Sequence, residues 1–224
     1  MNWFISMMSS TIGRKLIMAL TGLFLILFLV VHLSGNLQLV KGDAGESFNA
    51  YAQFMGHNPL IKVVSIGNFF FILLHIVYAL LLTLQNRKAR PVGYLSETTK
   101  TSNWNSRNMG ILGTIILIFL VVHLQNFWFK MKFGYVPLDD LGNKDLYMET
   151  KEAFSQWWLV ALYVVSMVFL ASHLAHGFQS AFQTLGLNHK KYTPAIQFIG
   201  KAFAIIVPLL FAIIPVMMFF NLSF

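Results

Sequence analysis

The chain has 224 residues, of which 57% are hydrophobic and 11% charged, with a formal net charge of +8 and a mean hydropathy of +0.66. Soluble domains carry about 25% charged residues, and disordered chains are poor in apolar ones, so both classes are excluded. The absence of cysteine excludes a disulfide scaffold, a covalently attached c-type haem, a cysteine-ligated iron–sulfur cluster and a thiol nucleophile.

Five stretches, at roughly 16–40, 62–85, 108–130, 156–183 and 196–221, are apolar over the ~20 helical residues that cross a hydrocarbon core of about 30 Å. Their apolar runs are continuous rather than two-periodic, which argues against β-barrel strands. The first stretch follows Arg14-Lys15 as a signal peptide would. It has no small-residue cleavage site and is long for a signal segment, so it reads as an uncleaved span. The expectation is an all-α membrane protein, one transmembrane domain over 1–224 with five helices. Trp3, Trp104, Trp128, Trp157 and Trp158 fall near span ends, as an aromatic belt places them.

Charge sets the orientation. Arg14, Lys15, Arg87, Lys88, Arg90, Lys100, Arg107, Lys190, Lys191 and Lys201 share one side with a single acid, Glu97, for a net +9. Lys41, Lys62, Lys130, Lys132, Lys144 and Lys151 oppose Asp43, Glu46, Asp139, Asp140, Asp145, Glu149 and Glu152 on the other, for a net −1. The positive-inside rule places the N-terminus in the cytoplasm and the C-terminus outside. The basic side serves topology and anionic lipid, or docks a cytoplasmic partner protein.

Of seven histidines, His57 and His189 lie in loops, while His32, His75, His123, His173 and His176 lie within the first four spans. Ionisable groups inside a span are costly and mark function. His32 lies 17 residues past Lys15 and His123 lies 16 past Arg107, about 25 Å from that flank at 1.5 Å per residue. His75 lies 12 residues before Arg87 and His173 lies 12 before Leu185, about 18 Å from the same flank. Helices 1 and 3 thus supply an outer pair, and helices 2 and 4 an inner pair. Two facing histidines at one level are what bis-histidine haem ligation requires. Zinc competes, but it takes four compact ligands and usually recruits Cys or carboxylates. Proton relays normally add acids, and no Asp or Glu lies within the spans.

The hexapeptide FLVVHL occurs at 28–33 and again at 119–124, with Gly22 and Gly113 each ten residues before the histidine. Ten residues span about 15 Å, which carries both glycines toward the inner level. There they would let a porphyrin edge approach, or else serve ordinary small-residue helix packing. In HLAHG, His173 matches the depth of His75, and Gln85 and Gln183 each follow their histidine by ten. His173 is therefore the expected ligand, with His176 left as a haem-propionate or quinone contact. The fifth helix has no histidine but carries Pro208 and Pro215, which kink a membrane helix unless neighbours re-satisfy its backbone. It is expected outside the four-helix core.

These segments together resemble the single-chain, five-helix, diheme cytochrome b anchor of succinate dehydrogenases and fumarate reductases (complex II). The resemblance runs over essentially the whole chain, through RKLIMALTGLFL, VVHLSGN, GESFNAYAQFM, LLHIVYAL, GTIILIFLVVHL and SHLAHGFQSAFQTLG. It implies two b haems in the bundle of the first four helices, held by His32 with His123 (outer) and His75 with His173 (inner). It further implies a multi-pass protein of the bacterial inner membrane. Cytoplasmic flavoprotein and iron–sulfur subunits would dock on the basic face, and electrons would pass to or from menaquinone near the outer haem. The succinate site would lie on a partner, not on this chain. Glu46 stands where relatives carry an acid in the first outer loop and is the candidate quinone-site residue. Asn36, Gln38, Gln125 and Asn126 are polar groups at similar depth. Some relatives place a glutamate two residues before the fourth ligand, where this chain has Ala171, which puts that proton path in doubt. Arg14, Lys15 and Arg107 are candidate inner propionate partners, or solvated flanking charges. The competing readings are the cytochrome b anchor of a hydrogenase or formate dehydrogenase, and a haem-free histidine-bearing transporter.

Overall fold

The computed structural model describes residues 2–89, 104–134 and 136–223; Arg90, Glu97 and Lys100 of the basic face lie outside them. Among the described residues the chain is helical, apart from turns and one isolated bridge between Leu138 and Lys144. Five helices are long and apolar enough to cross a membrane: Thr11–Val40, Pro59–Ala89, Met109–Phe133, Trp157–Thr184 and Thr193–Phe219. Their bounds extend or trim the sequence-based ones by a few residues at each end. A short helix, Trp3–Ser9, precedes the first span, and helices Glu46–His57 and Leu146–Phe154 fill the two loops on the opposite side.

Local chemistry sets several of these ends. Ser10 caps the first span, its hydroxyl accepting from Gly13 N–H at 3.0 Å, as a helix start requires. At the second span Asn58 Oδ1 accepts from Leu60 N–H at 3.0 Å, and Pro59 takes the first helical position, where its missing N–H costs nothing. Asp145 caps Leu146–Phe154 through Met148 N–H.

The two copies of FLVVHL end in opposite ways. After the first, the helix tightens into a 3₁₀ turn, Leu37–Val40. After the second, it widens into a π-helical stretch, Leu124–Phe129, a form that often marks function. In the first copy, Asn36 Nδ2 turns back to donate to the His32 carbonyl at 2.7 Å. In the second, Phe127 and Trp128 reach sideways to His123 and to Phe69 of the second span, with ring centroids 5.4 and 5.2 Å apart.

The first span packs on the second and the fourth, the third on the fourth, and the fifth on the fourth and first; the second and third touch little. The core follows this order. Leu33, Leu159, Val160, Tyr163, Val207, Ile214 and Met218 close its outer half, and Ile26, Leu174, Phe178 and Ala204 its inner half. Gly200 makes the seam between the fourth and fifth spans possible, since a Cβ there would stand 2.6 Å from Phe178 Cδ1. Pro208 and Pro215 lie inside a helix that runs unbroken from Thr193 to Phe219, and both are buried. Burial is uneven. Only 6% of the most apolar window is buried in the second and third spans, against 28–33% in the other three.

Candidate functional site

Four of the five intramembrane histidines meet in two pairs. The outer rings, His32 and His123, have centroids 5.7 Å apart and planes at 87°. The inner rings, His75 and His173, are 6.4 Å apart at 62°. Each pair joins alternate helices, first with third and second with fourth, so the two pairs lie on the two diagonals of the bundle. All four side chains are half-buried. His176, one turn beyond His173, has no hydrogen bond or ring contact among the described residues.

The outer pair sits in an aromatic cage. Phe28 stacks on His32 at 5.2 Å and 16°, and Phe119 on His123 at 5.7 Å and 28°. These are the same positions of the repeated hexapeptide, so FLVVHL encodes a phenylalanine stacked on a histidine one turn later along the same helix face. Phe127 and Tyr163 close on His123. Phe211 from the fifth span reaches His32 at 5.6 Å. The fifth helix does not stand outside the core as expected: it packs on the fourth and first spans, places Ala204, Val207, Ile214 and Met218 in the core and contributes this ring.

The ring nitrogens are unequally served. His75 Nδ1 lies 3.0 Å from Thr21 Oγ1, and His123 Nδ1 lies 3.0 Å from the Tyr163 hydroxyl. His32 Nδ1 has only Asn36 Nδ2 at 3.4 Å, and His173 Nδ1 is buried without a partner. No Nε2 of these four makes a hydrogen bond among the described residues. Neither Thr21 nor Tyr163 stands out in the sequence as a histidine partner. The signal they offer is that both are polar residues inside spans, eleven and ten positions before His32 and His173.

Of the paired glycines, Gly22 lies against the inner level, where an added Cβ would meet His75 Cε1 at 3.4 Å. A Cβ on Gly113 would meet nothing within 4 Å, so that position borders open space. Among the described residues no three His, Cys, Asp or Glu side chains cluster as a metal site; the histidines meet in twos.

The first outer loop is built around residues of GESFNAYAQFM. Gly45 has φ +93°, and Tyr147 lies where a Cβ would project, so both its conformation and its contact require glycine. Buried Asn49 donates to Asp145 Oδ1 at 3.0 Å and to Asp139 Oδ2 at 3.3 Å, and accepts from Tyr147 N–H at 3.0 Å. Asn49 thereby clasps the two outer loops together. Tyr51 packs on Gly35, three residues beyond His32. Glu46 is exposed at the first position of its helix. Among the described residues the one ion pair is Lys130–Glu149, at 2.9 Å. Gln125 and Asn126 fall in the π stretch, and Asn36 reaches His32.

Two outer carboxyls are tuned by this scaffold. Hydrogen bonds from the Ser47 side chain, then from the Ser47 and Gly45 N–H groups, hold Asp43 below the usual carboxylate range. Desolvation works the other way at Asp139, but N–H groups of Asn143 and Leu141 and the Asn49 amide outweigh it, and its carboxyl is also held low.

Compared with known protein families, curated proteins and solved structures, the chain matches none.

Proposed function

We propose that this chain is a diheme cytochrome b membrane anchor of a succinate:quinone oxidoreductase in a bacterial inner membrane. In this reading His32 with His123 would hold one haem iron and His75 with His173 the other. The observation that carries it is the meeting of two histidine pairs at two depths on opposite diagonals of one bundle.

The residues fit the group. Each pair brings two imidazoles within 5.7 and 6.4 Å, centroid to centroid, so that one group could be held between them. A ligating histidine turns its other ring N–H to a neighbouring acceptor. Thr21 and Tyr163 stand at Nδ1 of His75 and His123, leaving Nε2 for the iron. Pairs, rather than a tetrad, disfavour zinc.

Bound b haem would supply one-electron redox chemistry. The chain's own residues then do the positioning. The Phe28 and Phe119 stacks and Phe211 hold the outer rings in a dry aromatic wall. Gly22 keeps the inner histidine free of crowding. Glu46 and the polar groups Asn36, Gln125 and Asn126 sit toward the outer side, where menaquinone would exchange protons. Arg14, Lys15, Arg87, Lys88, Arg107, Lys190, Lys191 and Lys201 cluster toward one end of the bundle and would receive the flavoprotein and iron–sulfur subunits. Electron transfer across the span would be coupled to membrane potential, at about 2.3 kcal/mol per charge per 100 mV.

The test is a reduced-minus-oxidised spectrum and a haem count on the purified chain. Two b haems per chain support the reading, and the absence of a b-type α-band refutes it. Co-purification of flavoprotein and iron–sulfur subunits without nickel or molybdenum separates it from a hydrogenase or formate dehydrogenase anchor.

A further inference from the structure

Thr21 is 1% exposed and sits at the inner level on the first span, although that span's histidine belongs to the outer pair. Its hydroxyl lies 2.8 Å from the Ile17 carbonyl and 3.1 Å from that of Met18. The single hydroxyl proton is committed to those backbone acceptors, so its oxygen faces His75 Nδ1 with a lone pair. A proton on His75 Nδ1 would meet that lone pair and leave Nε2 bare. Tyr163 holds the matching place on the fourth span, with His123 Nδ1 as the partner of its hydroxyl. It stands at the outer level, 3.0 Å from His123 Nδ1, although the histidine of its own span belongs to the inner pair.

We infer that Thr21 and Tyr163 are positioning residues that fix the ring tautomers of His75 and His123. By this arrangement the first and fourth spans each give a histidine to one pair and a hydroxyl to the other. The inference rests on the haem reading and deepens it. Each pair has one histidine anchored by a hydroxyl from a different helix and one without such an anchor. The unanchored members are His173, whose Nδ1 is buried and unpartnered, and His32, with a 3.4 Å approach from Asn36. The first and fourth spans pack directly on each other, so the two anchors are braced by one interface.

An acceptor on the distal N–H makes an imidazole a stronger electron donor to its metal, which favours the oxidised iron. Its removal should raise the midpoint potential of the haem it serves and leave the other in place.

The experiment is a spectroelectrochemical titration of both haems in the intact complex. Thr21→Val keeps the side-chain shape and removes the acceptor; Thr21→Ser restores it; Tyr163→Phe deletes the phenol oxygen. Thr21→Val is expected to raise the potential of the inner haem alone, with Thr21→Ser near wild type. Tyr163→Phe should raise the outer haem alone. If Thr21→Val fails to accumulate, Tyr163→Phe carries the same test on the other pair. Haem-replete variants with unmoved potentials, or with both potentials moved equally, overturn this inference and leave the ligand assignment standing. A wild-type complex without haem sinks both.

Discussion

Replacing Gly22 with leucine places a four-carbon side chain where a Cβ alone would already stand 3.4 Å from His75 Cε1. The remaining carbons must enter the volume of the His75 ring or push the first two spans apart. Overpacking of this kind costs about 1–3 kcal/mol. Displacing the ring also breaks its 3.0 Å contact with Thr21, a further ~1 kcal/mol. A total of about 2–4 kcal/mol weakens inner-haem binding roughly 30- to 700-fold at 1.4 kcal/mol per decade. Gly22→Ala asks its neighbour to yield only a few tenths of an ångström and should cost well under 1 kcal/mol. The assay is the pyridine haemochrome per mole of purified chain, with spectra to show which haem is missing. The expected series is two haems for wild type and alanine, and one for leucine, with the outer haem kept. Two haems in the leucine variant would refute the argument. Gly113→Leu is the informative companion. Its Cβ meets no protein atom within 4 Å, so a loss of haem there reports crowding of the bound group itself.

The other expectations concern the pairing and the outer clasp. His75→Ala and His173→Ala should each remove the inner spectral component only, and His32→Ala and His123→Ala the outer only. Retention of both haems after any one substitution would break that pairing. Asn49→Leu removes three hydrogen bonds, two of them to carboxylates; faster limited proteolysis around helix Leu146–Phe154 is the readout, and wild-type resistance would contradict it. Asp43 and Asp139 are held below their ordinary carboxylate range in the folded chain. Their contribution is therefore present above the unfolded value of about 3.9 and lost as pH falls through the lowered folded values. Protease resistance of the outer loops should hold from pH 7 to 5 and fail below about 4; an invariant cleavage rate would reject the link.

The spans were legible because a helix in lipid must be apolar over its whole length, and such runs survive any detail of packing. Histidine depth was legible for the same geometric reason: a fixed rise per residue puts His32 level with His123 and His75 level with His173 without knowledge of which faces meet. What the sequence does not reveal depends on contacts between distant segments. Thr21 looks like any helix-interior threonine until the second span lays His75 against it. Asn49 reads as a loop amide until the second outer loop brings Asp139, Asp145 and Tyr147 to it. Phe211 is one apolar residue among many in the fifth helix. The two endings of FLVVHL differ because their downstream neighbours differ, Asn36 and Tyr51 in one case and Phe127 and Trp128 in the other. An identical hexapeptide cannot encode that difference.

The scant burial of the second and third spans changes how assembly should be viewed. The second packs along the first and the third along the fourth, but neither is enclosed as the first, fourth and fifth are. A group held between His75 and His173, or between His123 and His32, would tie the bundle across its diagonals, joining the two less enclosed spans to the three that enclose one another. In the proposed reading the free energy of binding that group would then add to the stability of the bundle.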